Sequence, residues 1–366
     1  MAQRKSIAKL LEHAARWSRK GGSNLLGVPG LVSAVDAHWD ALAKYAEKSK
    51  PLRSLLTLTD LSRRDTKRKE AKDSATAASL PTPTFYSAEA RGLCMQTDWK
   101  KRSGRVAVDF SDTPMSIEIV GPKGDTLLSG KWPAQVELNG QAQLQLDDWE
   151  EVCWFSDDDV DYIELEAKFG ESARVQRQII LCREDGLVFL ADALLTEAPG
   201  TWTVQSSIPF GPKVTADAAA ATREAWLITP QSQRCLLLPL ALPEWRKKLG
   251  QGKMLLDDGK LTMRAATEEG RLYSPLLISL KHAHAAKPLT WRQLSVAEDL
   301  KIVPSSVAAA YRVQIGREQW LIYRTLAEAV RRTALGMHTI NDFVACRFDG
   351  GTGTCDTLVE VESDAT

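Results

Sequence analysis

The hydrophobic pattern changes from a helical to a strand period near residue 83, and this change constrains the fold more than any other feature. Beyond that point apolar and polar residues alternate, as at Val106, Val108 and Phe110. Turn signals such as Asn139-Gly140 and Asp258-Gly259 separate the alternating runs. The pattern predicts about twenty strands with few helices. Because so many strands need stacked sheets, we expect a mainly β fold: a large antiparallel, supersandwich-like β-sandwich.

The N-terminal part of the chain differs in pattern and in charge. Two amphipathic helices are predicted in a basic helical segment, residues 1–58, and a charged and polar linker in 59–85, before the sandwich of 86–366. Residues 1–80 carry 16 Lys and Arg against 8 Asp and Glu, which leaves 31 against 39 for the rest. The favoured interpretation of the first helix is docking; a membrane surface or nucleic acid is the alternative.

The net charge and the cysteines limit which partners and which cellular compartment the sequence predicts. The formal net charge is zero, so we expect no nucleic-acid partner. The six cysteines form no CxxC pair, which indicates reduced thiols rather than a zinc ribbon or a disulfide framework. The start lacks the apolar run of a signal peptide, and we expect no transmembrane segment. The sequence therefore predicts a cytoplasmic protein, and it leaves the oligomeric state open.

The most informative local feature is a predicted hairpin that pairs two charges. If residues 183–186 form a four-residue turn, Cys182 lies opposite Leu187 and Arg177 lies opposite Asp192. Both charges then share a face with apolar residues. Such a pair is kept either as a buried structural bridge, which we favour, or because Arg177 binds an anionic ligand.

Two further residue groups are candidates for ligand binding. Trp132, Trp149 and Trp154 can stack on sugar rings, although filling the sandwich core is the favoured alternative. His282 and His284 follow a predicted strand, so alternation puts both on one face, where they can supply two metal ligands. The sequence shows no third ligand, and we expect neither a metal nor another cofactor. No catalytic residue can be named, since no GxSxG or HExxH motif occurs.

The order of these strands resembles the C-terminal β-sandwich of heparinase II/III-like polysaccharide lyases. The resemblance covers roughly residues 86–366, and four segments carry it: 91–99 (RGLCMQTDW), 162–165 (YIEL), 175–181 (VQRQIIL) and 187–192 (LVFLAD). It implies the sandwich of these lyases, with one Arg and one Asp held in place.

Two departures bear on the activity that the resemblance implies. The lyases carry a long helical toroid before the sandwich, whereas 80 residues can form at most about four helices. The strand that bears a histidine in the family corresponds to residues 115–128, which contain none. The base and the group that neutralises the uronate carboxylate therefore have no evident counterparts.

The sequence thus favours a non-catalytic heparinase-like β-sandwich protein that binds a carbohydrate or a protein partner. The alternative is a polysaccharide lyase or another carbohydrate-active enzyme with a rearranged site, using residues such as Arg177, His282 and His338. A third possibility is a purely structural assembly module.

Overall fold

The computed structural model describes residues 2–18, 25–27, 80–99, 104–121, 123–142 and 145–363. These residues form one α-helix, α1 (Ala2–Arg16), two short 3-10 helices (Leu25–Gly27 and His282–Ala286) and 27 β-strands. The mainly β class is confirmed. The strand count exceeds the roughly twenty expected because several strands of two or three residues are too short to show alternation.

The strands have the following bounds. In chain order they are β1 (Phe85–Ser87), β2 (Gly92–Gln96), β3 (Arg105–Asp109), β4 (Ser116–Val120), β5 (Thr126–Lys131), β6 (Ala134–Leu138), β7 (Gln141–Ala142), β8 (Glu150–Ser156), β9 (Val160–Phe169), β10 (Ala173–Cys182), β11 (Leu187–Leu195), β12 (Trp202–Pro209), β13 (Thr215–Ala218), β14 (Ala225–Ile228), β15 (Arg234–Pro239), β16 (Gly252–Asp257), β17 (Lys260–Thr267), β18 (Arg271–Ser279), β19 (Leu289–Leu294), β20 (Val296–Glu298), β21 (Lys301–Val303), β22 (Ala308–Ile315), β23 (Glu318–Thr325), β24 (Arg332–Ala334), β25 (Met337–Thr339), β26 (Phe343–Phe348) and β27 (Cys355–Val361).

Five antiparallel sheets are built from these strands. The largest has eight strands in the order β13-β14-β15-β18-β11-β10-β9-β8, and we call it the central sheet. Three sheets have five strands each, in the orders β1-β2-β3-β4-β5, β16-β17-β12-β6-β7 and β19-β22-β23-β26-β27. A four-stranded sheet, β21-β20-β24-β25, completes the set.

The inner strands of the central sheet, such as β10 and β11, are buried on both faces, which explains their long apolar runs. Val175 and Ile179 of β10 face a core that is shared with the sheets of β1–β5 and of β16, β17, β12 and β6. Ile180 and Cys182 face a second core, shared with the five-stranded sheet β19-β22-β23-β26-β27. A strand covered on both sides reads as continuously hydrophobic rather than alternating. The stacked-sheet prediction is therefore confirmed as a layered arrangement around one central sheet.

Two predicted hairpin turns have the backbone that their sequences require. Asn139 and Gly140 join β6 to β7 with φ of 51° and 78°, and Asp258 and Gly259 join β16 to β17 with φ of 48° and 69°. Positive φ at both central residues matches the right-handed twist of the paired strands, and Asn, Asp and Gly tolerate it best. These dipeptides therefore determine where the chain reverses.

Helix α1 docks against the sandwich. Leu11 and Ala15 are fully buried, and the ring of His13 meets that of Phe85 edge-on at 4.7 Å. Arg16 donates to the carbonyl of Thr82 at 3.0 and 2.8 Å. These contacts agree with the docking interpretation of the first predicted helix.

Several sequence-based predictions lie outside the described residues. They are the second predicted helix, residues 32–48, and most of the predicted linker, residues 59–79. The division into 1–58, 59–85 and 86–366 stays a prediction. In the part of the chain that the structure describes, no helix is both long and apolar enough to cross a bilayer.

Candidate functional site

Arg177 and Asp192 form the predicted cross-strand pair, and it is closed to solvent. The register of β10 and β11 places Arg177 opposite Asp192 and Cys182 opposite Leu187. Arg177 donates from Nε to Oδ1 at 2.7 Å and from Nη2 to Oδ2 at 3.0 Å. Its side chain is 0% exposed and that of Asp192 is 4% exposed. Bidentate geometry and burial are typical of a structural ion pair.

Two of the three candidate tryptophans enclose the guanidinium group. The Arg177 Cζ atom lies 3.7 Å from the ring centroid of Trp132 and 4.7 Å from that of Trp149. Arg177 also donates from Nη1 to the Trp132 carbonyl at 2.9 Å. Both rings are buried, at 2% and 1% exposure. The cation is therefore satisfied by hydrogen bonds and by aromatic faces, with its whole surface covered.

Trp154 lies elsewhere, on the edge strand β8. Its ring stacks on that of Tyr86 at 4.7 Å with 20° between the planes, and it remains half-buried. The structure thus brings Trp132 and Trp149 to Arg177 and leaves Trp154 apart. A ligand-binding role for the four residues stays a prediction, and the burial of three of them supports the structural alternative.

The prediction that His282 and His284 share a strand face is wrong. The chain leaves β18 after Ser279 and forms the 3-10 helix His282–Ala286, so the two-residue period no longer applies. His282 is exposed and accepts from the backbone N–H of Arg234 through Nδ1 at 3.0 Å. His284 turns inward and is 1% exposed. The two rings therefore have different surroundings and do not lie together as a pair of metal ligands.

His284 belongs to a hydrogen-bonded chain that runs from the buried Ser279 to the partly exposed Glu318. Its Nδ1 lies 2.8 Å from Ser279 Oγ and its Nε2 lies 3.0 Å from Glu318 Oε2. Burial lowers the pKa of His284, as do the charges of Lys281 and Lys287, while Glu318 opposes them. Ser279 is fully buried, so this serine is closed to a substrate. Among the described residues no three His, Cys, Asp or Glu side chains are placed to hold a metal ion.

The residues named for a rearranged catalytic site lie on separate elements. Arg177 is inside the sandwich and His282 is on the 3-10 helix. His338 is exposed on β25 of the four-stranded sheet, 2.8 Å from Thr333 Oγ1 through Nδ1. The structure therefore does not assemble these three side chains around one substrate.

An open cleft with a polar lining lies where three sheets meet. It has a volume of about 450 Å³ and is bounded by the ends of β17 and β18, by β22 and by the turn after β15. Tyr273 of β18 and Tyr311 of β22 lie at its base, with ring centroids 6.3 Å apart. Arg264 and Arg271 lie in its wall. We call this site the junction cleft.

The charges and hydroxyls of the junction cleft are held by neighbours. Arg264 pairs with Glu137 at 3.2 Å and Arg271 pairs with Glu197. The hydroxyl of Tyr273 donates to Gln178 Oε1 at 2.5 Å. Burial raises the pKa of Tyr273 well above its usual value, and it also raises that of Tyr311. Both phenols are therefore protonated hydrogen-bonding groups at neutral pH.

The lining suits a polar ring-shaped ligand. Gln251, Gln293 and Ser305 add amide and hydroxyl groups to the two arginines. Guanidinium groups donate to hydroxyl, carboxylate or sulfate oxygens, and a few such polar donors in an open cleft are typical of carbohydrate sites. Tyr273 and Tyr311 are 5% and 2% exposed, so they form the floor of the cleft rather than a stacking surface.

Sequence reasoning missed the junction cleft entirely. Its lining comes from positions between residues 201 and 311, on strands of three different sheets. The only local sign is the charged turn Glu268-Glu269-Gly270-Arg271, which resembles any solvated hairpin. The cleft exists because separate sheets meet there. How sheets pack against one another is not visible in a single sequence.

Of the comparisons with known proteins, only the one with solved structures gives matches, and these matches identify the fold. No family model matches the chain, and no curated protein matches it. A crystal structure of the heparan sulfate lyase HepC from Pedobacter heparinus matches with a TM-score of 0.55 and 9% identity over 85% of this chain and 51% of that one. A crystal structure of heparinase III matches with a TM-score of 0.55 and 10% identity over 88% of this chain and 55% of that one.

These matches confirm the resemblance at the level of the fold. The chain spans about half the length of the structures that it matches. At such identities the likeness concerns the arrangement of strands and not the chemistry of a site. The described chain therefore has a β fold shared with solved heparinase III structures.

Proposed function

We propose that this protein is a non-catalytic heparinase-like β-sandwich protein that binds a polysaccharide in the junction cleft. The observation that carries the proposal is the cleft itself, an open volume of about 450 Å³ that places Arg264 and Arg271 beside a base formed by Tyr273 and Tyr311. The volume lies within the range of small-molecule sites and holds a few sugar units of a longer chain.

The two tyrosines of the cleft support binding rather than lyase chemistry. A lyase needs a base that takes a proton from the uronate ring at neutral pH. The groups that line the cleft are arginines, glutamates and tyrosines, and burial holds the pKa of both tyrosines above the usual value. Such tyrosines donate hydrogen bonds and do not act as ready bases.

The class of polysaccharide follows from the arginines and from the fold neighbours. Arg264 is 45% exposed and Arg271 is 27% exposed, so each keeps N–H groups free for an anionic ligand beyond its glutamate partner. One neighbour is described as a heparan sulfate lyase. Uronate-containing polysaccharides, with heparan sulfate first, are therefore the ligands to test.

Calorimetric titration with heparan sulfate and with other uronate polysaccharides tests this proposal. We expect binding that weakens by at least about tenfold when Arg264→Ala and Arg271→Ala are combined, because two charged contacts are lost. Arg317→Ala is the matched control, since Arg317 is exposed in the turn between β22 and β23, away from the cleft lining. Failure of every polysaccharide to bind overturns the proposal.

The same panel separates the binding protein from the alternative, a lyase with a rearranged site. Elimination leaves an unsaturated uronate that absorbs ultraviolet light, so a rise in absorbance during incubation supports the lyase. We expect no rise. Binding to a protein partner, the other ligand considered, is supported if the glycans fail and the protein elutes in a complex.

We also propose a cytoplasmic location. All six cysteines lie in the described part of the chain and none forms a disulfide there, and Cys94, Cys182, Cys235 and Cys346 are buried. Burial raises the pKa of Cys94 and of Cys235 to about 12, so these thiols are unreactive. Cell fractionation followed by thiol counting under denaturing conditions tests the location; disulfides in the isolated protein contradict it.

A further inference from the structure

The turn after β15 carries an unusual exposed surface. Residues 245–256 (WRKKLGQGKMLL) contain four Lys and Arg and no acidic residue, in a chain with a formal net charge of zero. Trp245 is 51% exposed and Leu249 is 98% exposed; Leu255, on the outer face of β16, is 37% exposed. We call the exposed side chains of residues 245–255 the basic apolar patch.

The turn that presents the patch is held rigidly by one side chain. The guanidinium group of Arg223 donates to the carbonyls of Pro243 and Lys248, both at 2.7 Å, and to those of Trp245 and Arg246. Four carbonyls bound by one cation fix the path of the backbone. The exposed side chains therefore project from a preformed turn, and little ordering entropy is lost on binding.

Further contacts tie this turn to the sandwich. The side chain of Glu244 accepts from the hydroxyl of Thr290 at 2.5 Å and from the N–H of Trp291 at 3.3 Å. The indole of Trp291 donates to the Leu242 carbonyl at 2.9 Å. Gly252 is needed at the end of the turn, because a Cβ atom there would lie 2.4 Å from the Arg264 carbonyl oxygen. These contacts anchor the base of the turn to the sandwich.

The composition of the patch favours one kind of partner. An indole at a surface is typical of the bilayer interface, where its ring lies at the level of the head groups. A fully exposed leucine gains by entering the acyl region, and neighbouring lysines are attracted by anionic lipids. A polysaccharide satisfies the cations and the indole but leaves Leu249 in water. A second copy of the patch would bring like charges together.

We propose that the basic apolar patch attaches this protein to the surface of a membrane that contains anionic lipid. Trp245 and Leu249 enter the interface, while Arg246, Lys247 and Lys248 lie against the head groups. Residues 245–249 do not line the junction cleft, whereas Gln251 of the patch and Ala241 and Leu242 at the base of the turn do. The side chains that enter the interface are therefore separate from the cleft lining, and the attachment does not depend on the polysaccharide proposal.

A second turn of the same protein provides a matched control. The hairpin of β20 and β21 exposes Leu300 of its turn at 101% and Ile302 of β21 at 74%, so it matches the patch in apolar exposure. It lies among Glu298, Asp299 and Lys301 and has no excess of positive charge. An anionic bilayer therefore has no reason to prefer this turn.

Sedimentation of the full chain with vesicles tests the attachment. One set of vesicles contains phosphatidylcholine alone and the other contains phosphatidylcholine with phosphatidylserine. We expect binding to the second set, reduced about 30-fold by Lys247→Gln with Lys248→Gln and by tenfold or more by Trp245→Ser with Leu249→Ser. Leu300→Ser with Ile302→Ser leaves the binding unchanged.

Each other outcome overturns the attachment. No binding to anionic vesicles overturns it, as does equal loss in the Leu300 and Ile302 variant. A third outcome is that Lys247→Gln with Lys248→Gln abolishes binding while Trp245→Ser with Leu249→Ser leaves it intact. This outcome overturns the entry of Trp245 and Leu249 into the interface, because the contact is then purely electrostatic. Loss of heparan sulfate binding in the patch variants, with vesicle binding absent, assigns the patch to the polysaccharide. Far-ultraviolet circular dichroism of every variant checks that it folds.

Discussion

Arg177 is bound on every side, and this burial makes its replacement costly. With Arg177→Gln, Asp192 loses its bidentate partner at 4% exposure, and an unpaired buried carboxylate costs about 3–5 kcal/mol. We expect a loss of that size in the free energy of unfolding, measured by urea denaturation. Lys131→Gln is the control, because the pair of Lys131 with Asp112 is exposed at 52% and 73% and contributes about 1 kcal/mol or less.

The same residue distinguishes the structural interpretation from the ligand interpretation. Replacing both charges, as Arg177→Met with Asp192→Leu, removes the unpaired carboxylate and recovers much of the lost stability. If Arg177→Gln instead abolishes polysaccharide binding while the melting temperature stays the same, the residue serves a ligand.

His284 predicts how stability depends on pH. Burial lowers its pKa in the folded protein below the ordinary 6.5. The unfolded chain therefore binds this proton at higher pH than the folded chain, so stability is complete above pH 6.5 and decreases as the pH falls through the folded pKa. Thermal unfolding at pH 7.5 and pH 5.5 measures the loss, which we expect to be smaller in His284→Gln. His338→Gln, at an exposed site, keeps the full pH dependence; equal slopes in all three proteins contradict the assignment.

At the scale of elements, α1 offers two adjacent leucines in opposite environments. Leu11 is fully buried against the sandwich, whereas Leu10 is 46% exposed. Truncating a buried leucine removes apolar contacts and leaves a cavity, so Leu11→Ala should cost about 2–5 kcal/mol if the helix unfolds together with the sandwich. Leu10→Ala should cost less than about 1 kcal/mol.

Hydrogen exchange followed by mass spectrometry locates the effect of Leu11→Ala. We expect faster exchange in α1 and in β1, whose Phe85 packs on His13. Loss of protection in α1 alone, with the sandwich melting unchanged, means that the helix opens independently of the body it contacts.

Local patterns predicted the elements better than they predicted the site. The alternation and the Asn139-Gly140 turn reported β-hairpins because both act between neighbours in the chain. His282 was misplaced because the chain enters a 3-10 helix after β18, where no strong breaker marks the change. The partner of His284 is Glu318, 34 residues away on β23. The register of Arg177 with Asp192 was predictable because a short turn fixes it, whereas the junction cleft depends on how separate sheets meet.

At the scale of the whole molecule, one buried ion pair links the five-stranded sheet β19-β22-β23-β26-β27 to the central sheet. Arg324 of β23 donates to Glu164 of β9 at 3.0 and 2.7 Å and also to Gln176. The hydroxyl of Tyr162 donates to the same carboxylate, to which Gln178 donates at 3.0 Å. Arg324 is 6% exposed and Glu164 is 2% exposed. Arg324 Nε is buried without a partner, but the Glu164 carboxylate accepts from three side chains. Such a polar cluster between two apolar layers favours one alignment of the layers.

Arg324→Met should therefore loosen one layer more than the others. Glu164 is left buried without its partner, and we expect a loss of about 3–5 kcal/mol in the free energy of unfolding. Hydrogen exchange should rise first in β22, β23 and β26, since these strands lose their polar anchor while the β9–β10–β11 ladder keeps its own backbone pairs. Arg312→Met, on the neighbouring strand β22 and bonded to Gln319 and Gln314, is the control. Uniform exchange across all layers in Arg324→Met would show that the sandwich unfolds as one unit and that the ion pair contributes stability without setting the alignment.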